Sequence, residues 1–409
     1  MKKIFLLPLA AVVLAGCASG GSGELPLVYE VENRAEGLPV PPLPTADQAP
    51  SVATLPDPFE WSDGSGRVEK LADWTRRRGE IIAEIEHYEL GAKPPRPETL
   101  TATWSPADST LTVTMTQGGD TLRLSSKVVM PQGAGPHPVI IGVNLPTGSL
   151  PPALFDDFIQ IPFVHNQVSM HSAKDTSNPV YRMFPSLATS GNYAAWSWGI
   201  SRLVDGLELV AAEMGADVRR VAVTGCSYAG KMALFAGALD ERIALTIVQE
   251  SGGGGINSWR VSETLGNVEK ISNTNYDWFL PSLRDNFDGR ADRLPYDHHE
   301  LIALIAPRPV LILGNPDYGW LADQSGYVST MAALEVWRAM GVPERIGFDF
   351  SPEHPHCLVT DSQQEAITAF IDRFFRGVED VDTAAIRTAP LFGEVDYATW
   401  MPWAGATLR

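Results

Sequence analysis

Two of the three cysteines in this chain stand directly against residues suited to nucleophilic chemistry. Cys226 precedes Ser227 in Gly225-Cys226-Ser227-Tyr228-Ala229-Gly230-Lys231, and Cys357 follows His356 in His354-Pro355-His356-Cys357. Two cysteines left over in an exported protein tend to pair. A Cys226–Cys357 bond needs Cα atoms roughly 5–6 Å apart, so it brings Ser227 beside His356 although they are far apart in the chain. Whatever fold forms must let these two segments meet.

The N-terminus supports export. Lys2 and Lys3 precede an apolar run from Ile4 to Leu14, of signal-peptide length and too short to anchor across a bilayer. The run ends in Leu14-Ala15-Gly16-Cys17, which resembles a bacterial lipobox, implying a leader over 1–16 and lipidation of Cys17. Ala18 in the following position suggests outer-membrane sorting, with an unanchored periplasmic or secreted protein as the alternative. The net charge of −18 argues against nucleic acid and polybasic membrane contact, so the membrane is met through the lipid alone.

Residues 17–54 are rich in Gly, Pro, Ser and Ala, with Gly-Leu-Pro-Val-Pro-Pro-Leu-Pro at 37–44, and read as an extended flexible tether. The folded part is expected over 55–409. A helical rhythm runs from Asp73 to Leu90, and Thr101–Met130 alternates like antiparallel strands around a turn at Gly118-Gly119-Asp120. From His137 short apolar strands alternate with helices. Strands are expected at 139–143, 193–198, 221–224, 243–248, 310–313 and 346–350, and helices at 206–214, 231–239, 301–305 and 363–375. Such alternation implies a mainly parallel sheet covered on both faces, in a three-layer α/β sandwich.

Strand, Gly-Cys-Ser-Tyr-Ala-Gly, then helix is the setting of a nucleophile elbow in an α/β-hydrolase. Small residues must flank the serine. Gly225 supplies one, while the usual fifth-position glycine is Ala229 followed by Gly230. The chain order in that fold is nucleophile, acid, histidine. Of the eight histidines, His137, His165 and His171 precede Ser227, His87 lies in the first helix, and His298 and His299 begin a helix as caps. His354 and His356 follow the last central strand, and Cys357 favours His356 as base. Two carboxylates compete for the acid: Glu250 after the strand at 243–248, and Asp317 after the strand at 310–313. The common acid of that fold sits where Asp317 is, and on the residues alone both stay open.

Several blocks in order resemble the glucuronoyl esterases, carbohydrate esterase family 15. They are Gly225–Lys231, the run Asp240–Gly252, Trp196-Ser197-Trp198-Gly199-Ile200-Ser201-Arg202, Asp297–Pro309, and His356-Cys357. The resemblance spans about Leu55 to Arg376. It implies a serine esterase acting on esters of glucuronic or 4-O-methyl-glucuronic acid, such as lignin–glucuronoxylan cross-links, without a cofactor or metal. Ser227 would be nucleophile, His356 base and Glu250 the principal acid, with Asp317 as an auxiliary. Lys231, Glu269 and Trp320 would contact the sugar. The family has Arg directly after the nucleophile; this chain has Tyr228, whose hydroxyl could serve the oxyanion as a neutral donor. An acetyl-xylan or general carboxylesterase is the alternative, and a non-catalytic lipoprotein binding uronic-acid polysaccharide is a further one. A monomer is expected.

Overall fold

Uncharged apolar runs such as Val139-Ile140-Ile141 and Val310-Leu311-Ile312-Leu313 suit strands buried on both faces. The computed structural model describes residues 25–409; the expected leader and Cys17 lie outside the described residues. The strands are β1 Thr99–Ser105, β2 Thr110–Gln117, β3 Asp120–Lys127, β4 His137–Val143, β5 Ile159–Phe163, β6 Ala216–Cys226, β7 Leu245–Gln249, β8 Val310–Leu313, β9 Ile346–Asp349 and β10 Arg387–Thr388. The helices are α1 Trp74–Ile85, α2 Pro179–Met183, α3 Asn192–Met214, α4 Tyr228–Leu239, α5 Trp259–Glu263, α6 Pro281–Phe287, α7 His298–Ala303, α8 Asp323–Ala339 and α9 Asp361–Ile371.

Seven strands form one parallel sheet in the order β10-β9-β8-β7-β6-β4-β5. Alternate residues go to opposite faces. Val139, Ile141, Val221, Val223 and Ile312 pack with α3, α4, α7 and α8, while Ile140, Ala222, Ile247 and Leu311 pack with α9 and with Phe155 and Phe158. The result is the three-layer α/β-hydrolase arrangement. Strands β1, β2 and β3 form a separate antiparallel sheet. Leu111, Val113 and Met115 face inward, and the threonines between them face out. The β2–β3 turn uses Gly118 and Gly119, both at positive φ (58° and 87°), as a two-residue hairpin of right-handed twist requires. This sheet lies against α3, where Gly206 leaves no room for a side chain: a Cβ there would be 2.2 Å from Val113 Cγ2.

Three expectations are corrected. Tyr193–Trp198 is not a strand but the start of the 23-residue helix α3, which ends at Gly215 in the left-handed conformation. The aromatic run suggested a strand, yet it contains no β-branched residue and continues without a break into a helical pattern. Strand β5 and helix α8 were missed, because both are buried almost throughout and show no clean polar–apolar period. The segment read as a flexible tether is packed on the body from Leu25 onward. The Tyr29 N–H donates to Glu241 O (3.1 Å) and the Glu241 N–H donates to Glu32 O (2.8 Å). The Arg34 N–H donates to Glu241 Oε2 (2.7 Å), and its guanidinium pairs with Oε1 of the same buried carboxylate. Val28, Ala35, Ala46 and Ala49 are buried. Low-complexity composition was a poor guide here because an extended Pro-rich chain can lie along the body through backbone hydrogen bonds and a few side chains such as Arg34.

A chain beginning at Leu55 should therefore melt about 4 °C lower than one beginning at Leu25, since it strips partners from a buried carboxylate at roughly 3 kcal/mol. Scanning calorimetry of the two truncations checks this; equal melting temperatures would mean that residues 25–54 add nothing to stability.

Candidate active site

The nucleophile elbow forms where β6 runs into α4. Ser227 sits at φ 59°, ψ −126°, a backbone conformation that an L-residue adopts only when its surroundings impose it. The surroundings are tight. A Cβ at Gly225 would be 2.3 Å from Ala229 O, and one at Gly230 would be 2.3 Å from Gln249 O. Gly230, not position 229, is thus the second obligatory glycine, which explains why Ala229 is tolerated. The Ser227 N–H donates to Gln249 O at 3.0 Å, tying the elbow to the neighbouring strand.

Cys226 and Cys357 are bonded, with Cα atoms 5.7 Å apart. His356 follows β9 and lines the same cleft as Ser227. Its Nδ1 donates to Glu250 Oε2 at 2.5 Å, and the Cys357 N–H donates to Glu250 Oε1 at 2.9 Å. Both oxygens of one fully buried carboxylate thus hold the histidine segment. Glu250 is itself at positive φ (44°) and donates its N–H to Leu313 O at 2.7 Å, which locks it between β7 and β8. Gln249 adds a brace: its side chain accepts from Ser149 Oγ (2.5 Å) and donates to Leu358 O (2.8 Å).

Asp317 is not placed as an auxiliary acid. It is exposed, and its carboxylate accepts the Glu353 N–H at 2.6 Å, capping a turn instead of meeting His356. Its neighbour Tyr318 meets the histidine: Tyr318 Oη accepts the His356 N–H at 2.8 Å, and the two rings lie 5.0 Å apart. His354 has its ring nitrogens engaged by Asn315 Nδ2 (3.2 Å) and Ser351 O (3.1 Å). The α7 cap is Asp297, paired with Glu300, and not the histidines. His298 is buried deeper, with Nε2 3.0 Å from Glu89.

The cleft holds about 290 Å³ and is lined by Ser227, His356, Lys231, Glu269, Trp278 and Trp320, among others. Lys231 reaches it from the first turn of α4. Its Nζ lies 2.8 Å from both oxygens of Glu269 and 5.0 Å from the Trp278 ring centroid. Thr274 Oγ1 donates to Glu269 Oε1 at 2.8 Å. This paired charge is almost fully buried, whereas Trp320 on the rim is 45% exposed. Tyr228 lies beside the cleft with its ring against Trp278 and His171, and its hydroxyl accepts from Asn144 Nδ2 at 2.8 Å. The nitrogen of His356 and the sulfurs of Cys226 and Cys357 cluster within 4.8 Å, yet sulfurs bonded to each other offer no thiolate to a metal. Lys231, Glu269 and Trp320 all line the cleft that holds Ser227 and His356. Trp278, Tyr318 and Asp323 were missed. Tyr318 lies in the very block that drew attention to Asp317; the other two had no local signal.

Comparison with known proteins agrees with this geometry. The family described as "Glucuronyl esterase, fungi" matches residues 113–341. A 4-O-methyl-glucuronoyl methylesterase of Wolfiporia cocos is 38% identical over 85% of this chain and 88% of its own length. This chain belongs to the glucuronoyl esterase family. The catalytic domain of the Hypocrea jecorina glucuronoyl esterase superposes with a TM-score of 0.81 at 34% identity, covering 88% of this chain and 98% of that one. A mutant of the Sporotrichum thermophile glucuronoyl esterase, solved in complex with methyl 4-O-methyl-β-D-glucopyranuronate, gives 0.78 at 33% identity, covering 87% and 95%.

One buried group near the site of this glucuronoyl esterase is set apart by its titration. Asp323, at the start of α8, accepts the Asn315 N–H. Burial, assisted by the Glu250 charge and opposed by that hydrogen bond, pushes its carboxyl from the usual 3.8 to about 7. A carboxyl raised on folding binds more protons in the native than in the unfolded state between about pH 4 and 7. Its contribution to stability therefore falls as pH rises through that window. Asp323→Asn keeps an acceptor and removes the ionisation. The variant should gain on the wild type from pH 4 to pH 7, by about 1–4 kcal/mol, and level off above. Denaturant midpoints across pH check this, and a variant that loses ground toward pH 7 would show that the ionised form is the stabilising one.

Proposed function

We propose that this glucuronoyl esterase hydrolyses esters of 4-O-methyl-glucuronic or glucuronic acid through Ser227, His356 and Glu250. The observation that carries the reading is the double grip of Glu250 on the histidine segment, with Ser227 on the same cleft. Ser227 Oγ attacks the ester carbonyl carbon while His356 Nε2 takes its proton. Glu250, bonded to Nδ1, fixes the tautomer and stabilises the imidazolium. The negative charge on the former carbonyl oxygen is met by the Tyr228 backbone N–H, at the start of α4, and by the Tyr228 hydroxyl. Collapse of this intermediate expels the alcohol, which takes the proton from His356. Water activated by the same imidazole then releases the uronic acid from Ser227.

The Lys231–Glu269 pair suits the sugar. A carboxylate accepts from two hydroxyls and a lysine donates to them, while Trp278 and Trp320 supply apolar faces. The pair is neutral as a unit, which fits an ester, whose acid group carries no charge. Lignin–glucuronoxylan cross-links are the proposed natural substrates. The disulfide fits an oxidising compartment, in line with an exported protein. Lipidation at Cys17, a single catalytic body and a monomeric state complete the reading.

Ser227→Ala should abolish turnover of methyl 4-O-methyl-glucuronate, whereas Glu250→Gln should lower kcat about 10⁴-fold with KM little changed. Asp317→Asn should stay within about threefold of wild type. Steady-state kinetics on this ester, beside acetylated xylan and 4-nitrophenyl acetate, decide both residues and substrate. Preference for the acetyl esters would replace the uronate reading with a general carboxylesterase, and a severe loss in Asp317→Asn would move the acid role away from Glu250.

A further inference from the structure

Tyr228 directly follows Ser227, and a tyrosine hydroxyl serves an oxyanion only if its own proton is free to point there. In α/β-hydrolases the oxyanion site lies between the residue after the nucleophile and the loop after a neighbouring strand. Here that strand is β4, paired with β6, and Asn144 is the first residue beyond it. Asn144 sits at φ 67°, a conformation asparagine tolerates, and its backbone N–H is engaged by Phe163 O at 2.8 Å. Its side chain bridges two rings. Nδ2 donates to Tyr228 Oη at 2.8 Å, and Oδ1 lies 2.5 Å from His165 Nδ1.

We infer that Asn144 and His165 are positioning residues that hold the Tyr228 hydroxyl as a hydrogen-bond donor to the oxyanion of the ester-hydrolysis intermediate. The inference rests on the esterase reading of Ser227 and extends it. The direction of the relay follows from where His165 can carry its proton. The ring is buried, and burial with a further contribution from His171 pushes its pKa down to about 4, so it is neutral at working pH. Its Nε2 is buried without a hydrogen-bond partner. With the proton on Nδ1, His165 donates to Asn144 Oδ1 and only an unfilled lone pair is left at Nε2. The reverse arrangement would bury an N–H with no acceptor, the rarer and costlier defect. Asn144 then has only its NH₂ to offer Tyr228, which must accept. The Tyr228 O–H is left free of Asn144, and a hydroxyl that accepts one hydrogen bond is polarised toward donating another.

The ring itself cannot easily leave. His171 meets it edge-on at 4.5 Å, Trp278 lies nearly parallel at 6.1 Å, and Trp278 is fastened by its Nε1–H to His171 O at 2.9 Å. Tyr193 Oη donates to the Tyr228 carbonyl at 3.1 Å.

The test is a double-mutant cycle on methyl 4-O-methyl-glucuronate, with melting temperatures recorded for every variant. Tyr228→Phe keeps the ring packing and should lower kcat about 10²–10³-fold with KM within about threefold. Asn144→Asp keeps the shape but turns the NH₂ into an acceptor. It draws the Tyr228 proton to itself and should lower kcat by at least about tenfold. Against a Tyr228→Phe background the same Asn144→Asp change should cost clearly less, because only the through-space effect of the new charge remains once the hydroxyl is gone. His165→Phe, which frees the amide to reverse, should follow the same pattern. The inference is overturned if an active wild type is matched by Tyr228→Phe, or if Asn144→Asp costs as much with Phe at 228 as with Tyr. A wild type that turns over no ester would overturn the esterase reading and this one together.

Discussion

The Cys226–Cys357 bond joins the end of β6 to the loop after β9, and these strands are not neighbours: β7 and β8 lie between them. Parallel strands bring their carboxyl ends to one edge, but loops there have no ladder to hold them. The disulfide supplies that hold for the nucleophile and histidine segments at once. Closing a loop of this length restricts the unfolded chain, worth roughly 4–5 kcal/mol in the entropic account. The strained Ser227 backbone is thereby held by a covalent neighbour on one side and by α4 on the other.

Glu250 does for the middle of the sheet what the disulfide does across it. Its N–H is anchored to β8 and its two oxygens hold the segment bearing His356. A carboxylate with both oxygens bonded to one loop fixes position and rotation together. Asp317 stands at the place where many α/β-hydrolases carry their acid, yet it caps the Glu353 turn. The carboxylate that meets the histidine is the buried one, and burial is not written in either local motif.

How much was legible in the sequence follows from this. Cys226, Ser227, His356 and Cys357 were readable because covalent chemistry and chain order constrain them without knowledge of packing. The β8 strand and the β2–β3 hairpin were readable because their periods and turn residues are local. The first turns of α3 were misread since aromatic residues fit either a strand or a buried helix, and only the unbroken run to Gly215 decides. The segment from Leu25 was misread because nothing in Pro-rich sequence says that Glu241 waits to receive it. Asp323, Trp278, Asn144 and His165 left no local signal, for each acquires its role from residues distant in the chain that the fold brings into contact.

Around the cleft, charges are arranged to cancel nearby. Lys231 and Glu269 form a closed buried pair, and directly after Ser227 stands Tyr228, backed by the Asn144 amide and a histidine that burial keeps uncharged. A buried cation beside the nucleophile would stabilise an oxyanion strongly, but it would also need a permanent counter-charge, with the desolvation that entails. A polarised hydroxyl needs none, and its acceptor can be an amide. In the proposed oxyanion role the weaker field is partly offset by preorganisation, since the Tyr228 ring is held by His171 and Trp278. A hydroxyl proposed to act where a cation could stand thus depends on the rings and the amide around position 228, not on that position alone.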